Sequence, residues 1–308
     1  MQDASLISLG RNIKMDQANK SPFMNKMNLR LLINNVSKFI FLLSTLFGLV
    51  ILAVLIYRVV ADGAGWINMD FLTGKLSTQP ERAGIMGAIL GTLWLMAVVA
   101  PVTMFLGVGT AIYLELYAKK GRLQSIIQTN ISNLAGVPSI VYGILGMTVF
   151  VRALDLGNIV LAGGLTMSLL ILPIVIVSSQ EALRAVPWHF SEASYGMGAT
   201  KWQTIRSVVL PVAIPGILTG AILSLSRAIG ETAPLVVIGI PALLLPFPGS
   251  IFDKFTVLPM QIYYWTSDSA LMAEYANLAA ATILVLLLTL LILNSIAIII
   301  RNKFQQRY

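Results

Sequence analysis

Cysteine is absent from these 308 residues, and histidine occurs once, as His189. Neither a disulfide framework nor the usual Cys/His ligand sets for zinc or iron can be drawn from that stock, so no metal site is expected. Charge is also scarce: Asp, Glu, Lys and Arg make up 11% of the chain, against about 25% in ordinary soluble domains. A nucleotide-binding P-loop is missing. The only Gly-Lys pair, Gly74-Lys75, has Met69 where the loop's first glycine belongs and Leu76 in place of Ser or Thr. The chain is therefore not expected to hydrolyse ATP. No nucleophile–base pair is recognisable either, because His189 stands alone in a polar loop where a solvated role outweighs catalysis. The expectation is a non-enzyme that carries no cofactor of its own.

What is abundant is apolar. Hydrophobic residues make up 57% of the chain and the mean hydropathy is +0.83. They gather into long blocks, the pattern of an all-α integral membrane protein. A spanning helix needs about 20 mainly apolar residues. The segments 39–60, 84–107, 134–151, 159–179, 208–229 and 276–300 qualify. Apolar character continues to Tyr117 after the second, which points to a helix bent at Pro101 that runs on. Between the last two spans lies an apolar stretch, 234–248, punctuated by Pro241, Pro246 and Pro248. Prolines at that density would break a spanning helix, so this stretch reads as re-entrant or packed on the surface.

The net charge of +8 raises nucleic acid as a partner, but the basic residues lie between apolar blocks and at the ends, with no basic, aromatic-interleaved stripe. Membrane orientation accounts for them better. With six spans, one side collects Arg11, Lys14, Lys20, Lys26, Arg30 and Lys38, then Lys119, Lys120 and Arg122. It also collects Arg184, Lys201, Arg206, Arg301, Lys303 and Arg307. The other side holds Lys75, Arg82, Arg152 and Lys254 and most of the acidic residues. By the positive-inside rule both termini are cytoplasmic. Tyr263, Tyr264 and Trp265 would suit an outer interfacial belt against membrane lipid. Residues 1–37 are too polar and too long for a signal-peptide n-region and are read as a retained cytoplasmic tail ahead of a membrane domain, 38–308.

The longest informative loop, 181–206, opens "EALRAVPWHFSEASYGMGATKWQTIR". Pro187 suits the first turn of a short helix, Gly198 a left-handed C-terminal turn, and Thr200-Lys-Trp-Gln203 a capping box that restarts a helix. The reading is a helical hairpin built to dock, with a plain connecting loop as the alternative. Glu192-Ala193-Ser194, then Gly198 and Ala199, then Val208-x-Leu210-Pro211 resembles the E-A-A-x-x-x-G-x9-I-x-L-P motif of ABC-importer permeases. Serine stands for the second alanine and valine for isoleucine. The resemblance implies the type I importer (MetI-like) fold with six transmembrane helices, in the bacterial inner membrane. It also implies that this loop couples to separate ATP-binding subunits, which hold the ATP and Mg.

Two further stretches, "AGVPSIVYGILG" at 135–146 and "RAIGETAPL" at 227–235, look like the phosphate-importer permeases, nearer the PstA-type than the PstC-type subunit. The resemblance covers about residues 86–301. It implies as partners a PstC-type permease, two ATP-binding subunits and an extracytoplasmic phosphate-binding protein. Sulfate or molybdate import, or a scaffold or regulator that moves no solute, remain alternatives. Gly136, Gly143 and Gly146 read as close-packing positions rather than substrate contacts.

Arg227 and Glu231 interrupt the fifth apolar block at helical spacing. Each charge costs about 2.5–3.5 kcal/mol at the centre of a membrane helix. On a shared helix face the two can pair, either as mutual neutralisation or as a substrate site. Guanidinium offers a rigid fork of donors for a tetrahedral oxyanion, and Ser224, Ser226 and Thr232 lie close enough in sequence to add hydroxyls. At 1.5 Å per residue, Arg227 falls about 24–28 Å along the span, in its outer half.

Overall fold

The computed structural model describes residues 22–241 and 247–304. The first part of the expected tail, Pro246 and Arg307 lie outside them. The chain divides into two compact units, Met1–Arg58 and Val59–Tyr308.

The first unit holds all but the last residues of α1 (Pro22–Gly63), an uninterrupted helix of 42 residues. After Pro22 it contains no proline, and between residues 29 and 57 its apolar side chains are exposed, as a helix in lipid requires. Residues 22–37 form its opening turns.

In the second unit α2 (Met86–Tyr117) is one run of 32 residues. Pro101 removes a backbone donor, and three residues later the ladder widens to π-turns over Met104–Val108 and again over Tyr113–Tyr117. The helix therefore continues past Pro101, as the apolar pattern implied.

The third expected span, 134–151, is divided. Helix α3 (Arg122–Leu134) ends before Gly136-Val137-Pro138, and α4 (Ser139–Ala153) restarts at an angle of 101°. Pro138 supplies no N–H and disfavours the helical region for Val137, and with Gly136 just before it the chain bends here, whereas α2 runs on through Pro101. Close packing by glycine holds at two of the three positions. A Cβ on Gly143 would lie 2.8 Å from the Cα of Pro234, and one on Gly146 would overlap the Thr166 side chain, whereas Gly136 meets only the carbonyl of Asn133 in its own turn.

Helix α5 (Val160–Arg184) is the central element and packs against α2, α4 and α7 (Lys201–Gly230). Met167, Ile171 and Val175 recur every four residues on its inner face and are fully buried. They join Leu95 and Val99 of α2 in the main core, with Phe255 and Met260 from much further along the chain.

Between α5 and α7 lies the short α6 (Trp188–Gly196). Helix α8 (Ala233–Ile238) packs on α4, with Leu235 and Ile238 buried, so the start of the proline-punctuated stretch is a single packed helical turn or two. Helices α9 (Leu258–Asp268) and α10 (Glu274–Phe304) close the unit. The aromatic belt expected at 263–265 is not assembled. Trp265 is buried with its ring 6.3 Å from that of Phe71, and the Tyr264 hydroxyl donates to the carbonyl of Ile240, leaving only Tyr263 exposed. Burial pushes the Tyr264 phenol above its ordinary pKa.

Among the described residues there is no strand beyond one isolated bridge between Ile159 and Lys254. Five helices are long and apolar enough to cross a membrane, six if the bent pair α3–α4 is one span.

Candidate functional site: a helical hairpin and a charged pair

The hairpin forms from strictly local signals. Pro187, extended, precedes the first residue of α6. At the other end Gly198 has φ +80°; its N–H bonds Tyr195 O at 2.9 Å, and Ala199 N–H bonds Ser194 O at 3.2 Å. This is a Schellman closure, which satisfies the last carbonyls of α6 and needs a left-handed residue at that point. Thr200 then caps α7: Gln203 N–H donates to Thr200 Oγ1 at 3.4 Å, and Thr200 N–H donates to Gln203 Oε1 at 2.8 Å.

A contact not foreseen from the sequence ties the arms together. Ser194 Oγ and Thr204 Oγ1 are 2.9 Å apart. The serine that departs from the E-A-A pattern is thus the residue that bridges the turn, and that departure was the available signal. Glu192 and Ala193 are exposed, while Ser194 and Ala199 are half-buried. At the turn Met197 is 89% exposed, and Trp188 and Tyr195 on α6 and Trp202 on α7 are exposed as well. His189 is exposed on α6, its ring 4.7 Å from that of Phe190. Large apolar side chains exposed on a polar hairpin are of the kind that protein interfaces bury.

The charged pair lies at the opposite end of α7. The helix stops at Gly230, and Glu231 is extended (φ −77°, ψ 124°). The two charges therefore do not share a helix face, as the spacing had implied. The backbone turns after Gly230 and Glu231 reaches back, Arg227 Nε donating to its Oε1 at 3.1 Å. The glutamate side chain is 19% exposed and that of the arginine 57%. Arg227 Nη1 and Nη2 have no hydrogen-bond partner among the described residues.

The hydroxyls divide. Ser224 is buried and donates to Gly220 O at 2.8 Å, so it is committed to its own helix. Ser226 Oγ lies 2.7 Å from Ile222 O and 2.6 Å from Asn294 Oδ1 on α10. Thr232 is half-buried and its hydroxyl bonds no described residue, so it remains available beside Glu231. Sequence reading passed over Asn294, although an amide inside the apolar run of α10 is the kind of residue that marks an intramembrane contact. Among the described residues no group of His, Asp or Glu could hold a metal ion.

Helices of spanning length around a buried central helix, with a capped hairpin between two of them, define a multi-pass helical membrane protein. The chain belongs to the family of binding-protein-dependent transport system inner membrane components, whose model matches residues 103–308. It is 36% identical over 263 residues to the phosphate transport system permease protein PstA of Mycobacterium leprae, covering 82% of this chain and 84% of that one. It is 32% identical over 186 residues to the probable ABC transporter permease protein YqgI of Bacillus subtilis, 60% of this chain and 63% of that protein, just under two thirds of the relative's length. Among solved structures, the inward-facing MetNI methionine ABC transporter is similar at a TM-score of 0.57 and 18% identity, over 72% of this chain and 96% of that chain. The fold is that of the type I ABC-importer permeases, as the motif implied, and the chain is a multi-pass protein of the inner membrane.

Proposed function

We propose that this chain is the PstA-type permease subunit of an ATP-driven importer of inorganic phosphate. The observation that carries the substrate is Arg227, a guanidinium held by a single hydrogen bond with its terminal nitrogens open. The naming of the M. leprae relative supports the same reading.

The geometry suits an anion that must bind and leave. Phosphate near neutral pH carries both charge and protons. Its oxygens accept from the open Nη1 and Nη2 of Arg227 and from the Thr232 hydroxyl, while Glu231 Oε2 accepts from its remaining hydroxyl. Exchange of the Arg227–Glu231 bond for an Arg227–phosphate bond keeps the cation satisfied at both stages and limits how tightly the ion is held. Ser224, expected in the pathway, contributes by fixing α7 locally rather than by contact, since its proton is used by Gly220.

The loop of Glu192, Ala193, Ser194, Gly198 and Ala199 presents Met197 and its aromatic neighbours to one of two ATP-binding subunits. These supply ATP and Mg, and this chain catalyses nothing itself. A PstC-type permease and an extracytoplasmic phosphate-binding protein complete the assembly. Lys and Arg distribution orients the hairpin and both termini to the cytoplasm, with residues 1–37 as a cytoplasmic tail and 38–308 as the permease domain.

Flux of labelled phosphate into vesicles holding the reconstituted complex tests the assignment. Arg227→Ala is expected to abolish uptake, and Arg227→Lys to reduce it strongly, because ammonium lacks the fork. Unchanged uptake in both variants removes Arg227 from the site. Equal competition by sulfate overturns the choice of phosphate.

A further inference from the structure

The end of α2 nearest the hairpin is gripped from both of the hairpin's flanks. On the entering side, Arg184 is the last residue of α5, four positions before α6 begins. Its Nε donates to Glu115 Oε2 at 2.9 Å, its Nη2 lies 2.9 Å from the same oxygen, and its Nη1 donates to Glu181 Oε1 at 2.9 Å. On the leaving side, Lys201 is the first residue of α7, and its Nζ stands 4.9 Å from the centroid of the Tyr117 ring. Glu115 and Tyr117 both belong to the terminal π-turn of α2, Tyr113–Tyr117.

That turn is built as a handle. It closes with Ala118 N–H on Tyr113 O at 2.8 Å, and Gln124 of α3 donates from Nε2 to Leu114 O at 3.0 Å. A π-turn is rare inside an α-helix and is found frequently at functional sites. A second π-turn, Met104–Val108, lies one α-turn (Gly109–Ile112) earlier in the same helix, just past Pro101. The stretch between them is thus bounded at both ends by departures from α geometry.

We propose that Glu115 and Tyr117 are positioning residues through which movement of the hairpin reaches α2. This rests on the importer reading above. Arg184 and Lys201 move with the two arms of the hairpin, and each holds a different side chain of one π-turn. The arms are themselves locked by Ser194 and Thr204, so a displacement of the hairpin is delivered to α2 as a single push. The two links suit a cycle better than a staple. The ion pair is 45% exposed on its arginine and 22% on its glutamate, and such partly exposed pairs add little to stability. They align without welding.

The test uses the complete complex in vesicles, with ATP hydrolysis measured with and without the loaded extracytoplasmic binding protein. Glu115→Gln is expected to leave assembly and unstimulated hydrolysis intact and to lower the stimulation about fivefold or more, the size of an ordinary coupling effect. Reversal of the pair, Glu115→Arg with Arg184→Glu, made together with Glu181→Gln to remove the like charge three residues away, should restore it. Tyr117→Phe keeps the ring and should behave as wild type, whereas Tyr117→Leu, which keeps apolar packing but not the cation–π contact, should not. Undiminished stimulation in Glu115→Gln and Tyr117→Leu, or failure of both the reversed pair and Tyr117→Phe, overturns the proposal. If Glu115→Gln does not assemble, the Phe/Leu comparison at position 117 decides alone. A wild-type complex that is stimulated yet moves no phosphate would sink the substrate reading while leaving this comparison valid.

Discussion

Replacing Gly198 separates backbone strain from bulk in the hairpin. An added Cβ there meets nothing within 4 Å, so the cost of Gly198→Ala comes from the φ of +80° alone. An L-residue in the left-handed region costs about 1–2 kcal/mol. That energy is set against a turn closed by the hydrogen bonds of Gly198 to Tyr195 and Ala199 to Ser194, and by the Ser194–Thr204 bridge. A hairpin that opens under the strain no longer presents Met197 correctly. A shift of 1–2 kcal/mol lowers the ratio of closed to open hairpin by about 5–30-fold. Where the closed form is not in large excess, the apparent affinity for the ATP-binding subunit weakens with the competent fraction. Asparagine tolerates the left-handed region, so Gly198→Asn should lie much closer to wild type than Gly198→Ala despite its larger side chain. The assay is titration of the purified ATP-binding subunit onto the permease in nanodiscs, with hydrolysis as a second readout and expression level as the control for insertion. An effect that follows side-chain size, with Asn worse than Ala, would refute the strain argument and return the explanation to bulk.

Two further outcomes concern packing. Gln128 and Gln180 exchange amide hydrogen bonds of 2.9 and 2.8 Å between α3 and α5, and Gln180 is 1% exposed. Gln128→Leu strands a buried amide and should cost about 1–3 kcal/mol, Gln180→Leu should cost less because half-buried Gln128 can turn to water, and the double Leu variant should come out near neutral. A double-mutant cycle on thermal unfolding in detergent measures this, and additive losses would contradict it. Gly146→Val overlaps Thr166 and should destabilise α4 against α5 by about 1–3 kcal/mol, with partial rescue by Thr166→Ala. The same unfolding measurement checks it, and rescue that fails places the defect elsewhere.

The parts of this protein legible in its sequence are those whose causes lie within a few residues of one another. Apolar run length alone marked where the membrane helices lie, because lipid satisfies no backbone group and leaves the helix as the available solution. The hairpin was legible turn by turn, since Pro187, Gly198 and the Thr200–Gln203 box each act over at most one helical turn. The break at 135–138 has local contributors in Gly136 and Pro138, but proline alone did not announce it, since other helices run through Pro101, Pro173 and Pro215.

What chain distance hides, only the tertiary structure decided. Ser226 meets Asn294 across 68 positions, Arg184 meets Glu115 across 69, and Gln128 meets Gln180 across 52. No periodicity encodes such pairs, because they depend on how one helix is rotated against another. The same holds for Trp265, an interfacial residue by composition that packing against Phe71 withdrew into the core. At the charged pair the sequence supplied the partners and the structure supplied the geometry. Arg227 stays on the helix, Glu231 leaves it, and the turn between them leaves Nη1 and Nη2 of the guanidinium without a partner among the described residues.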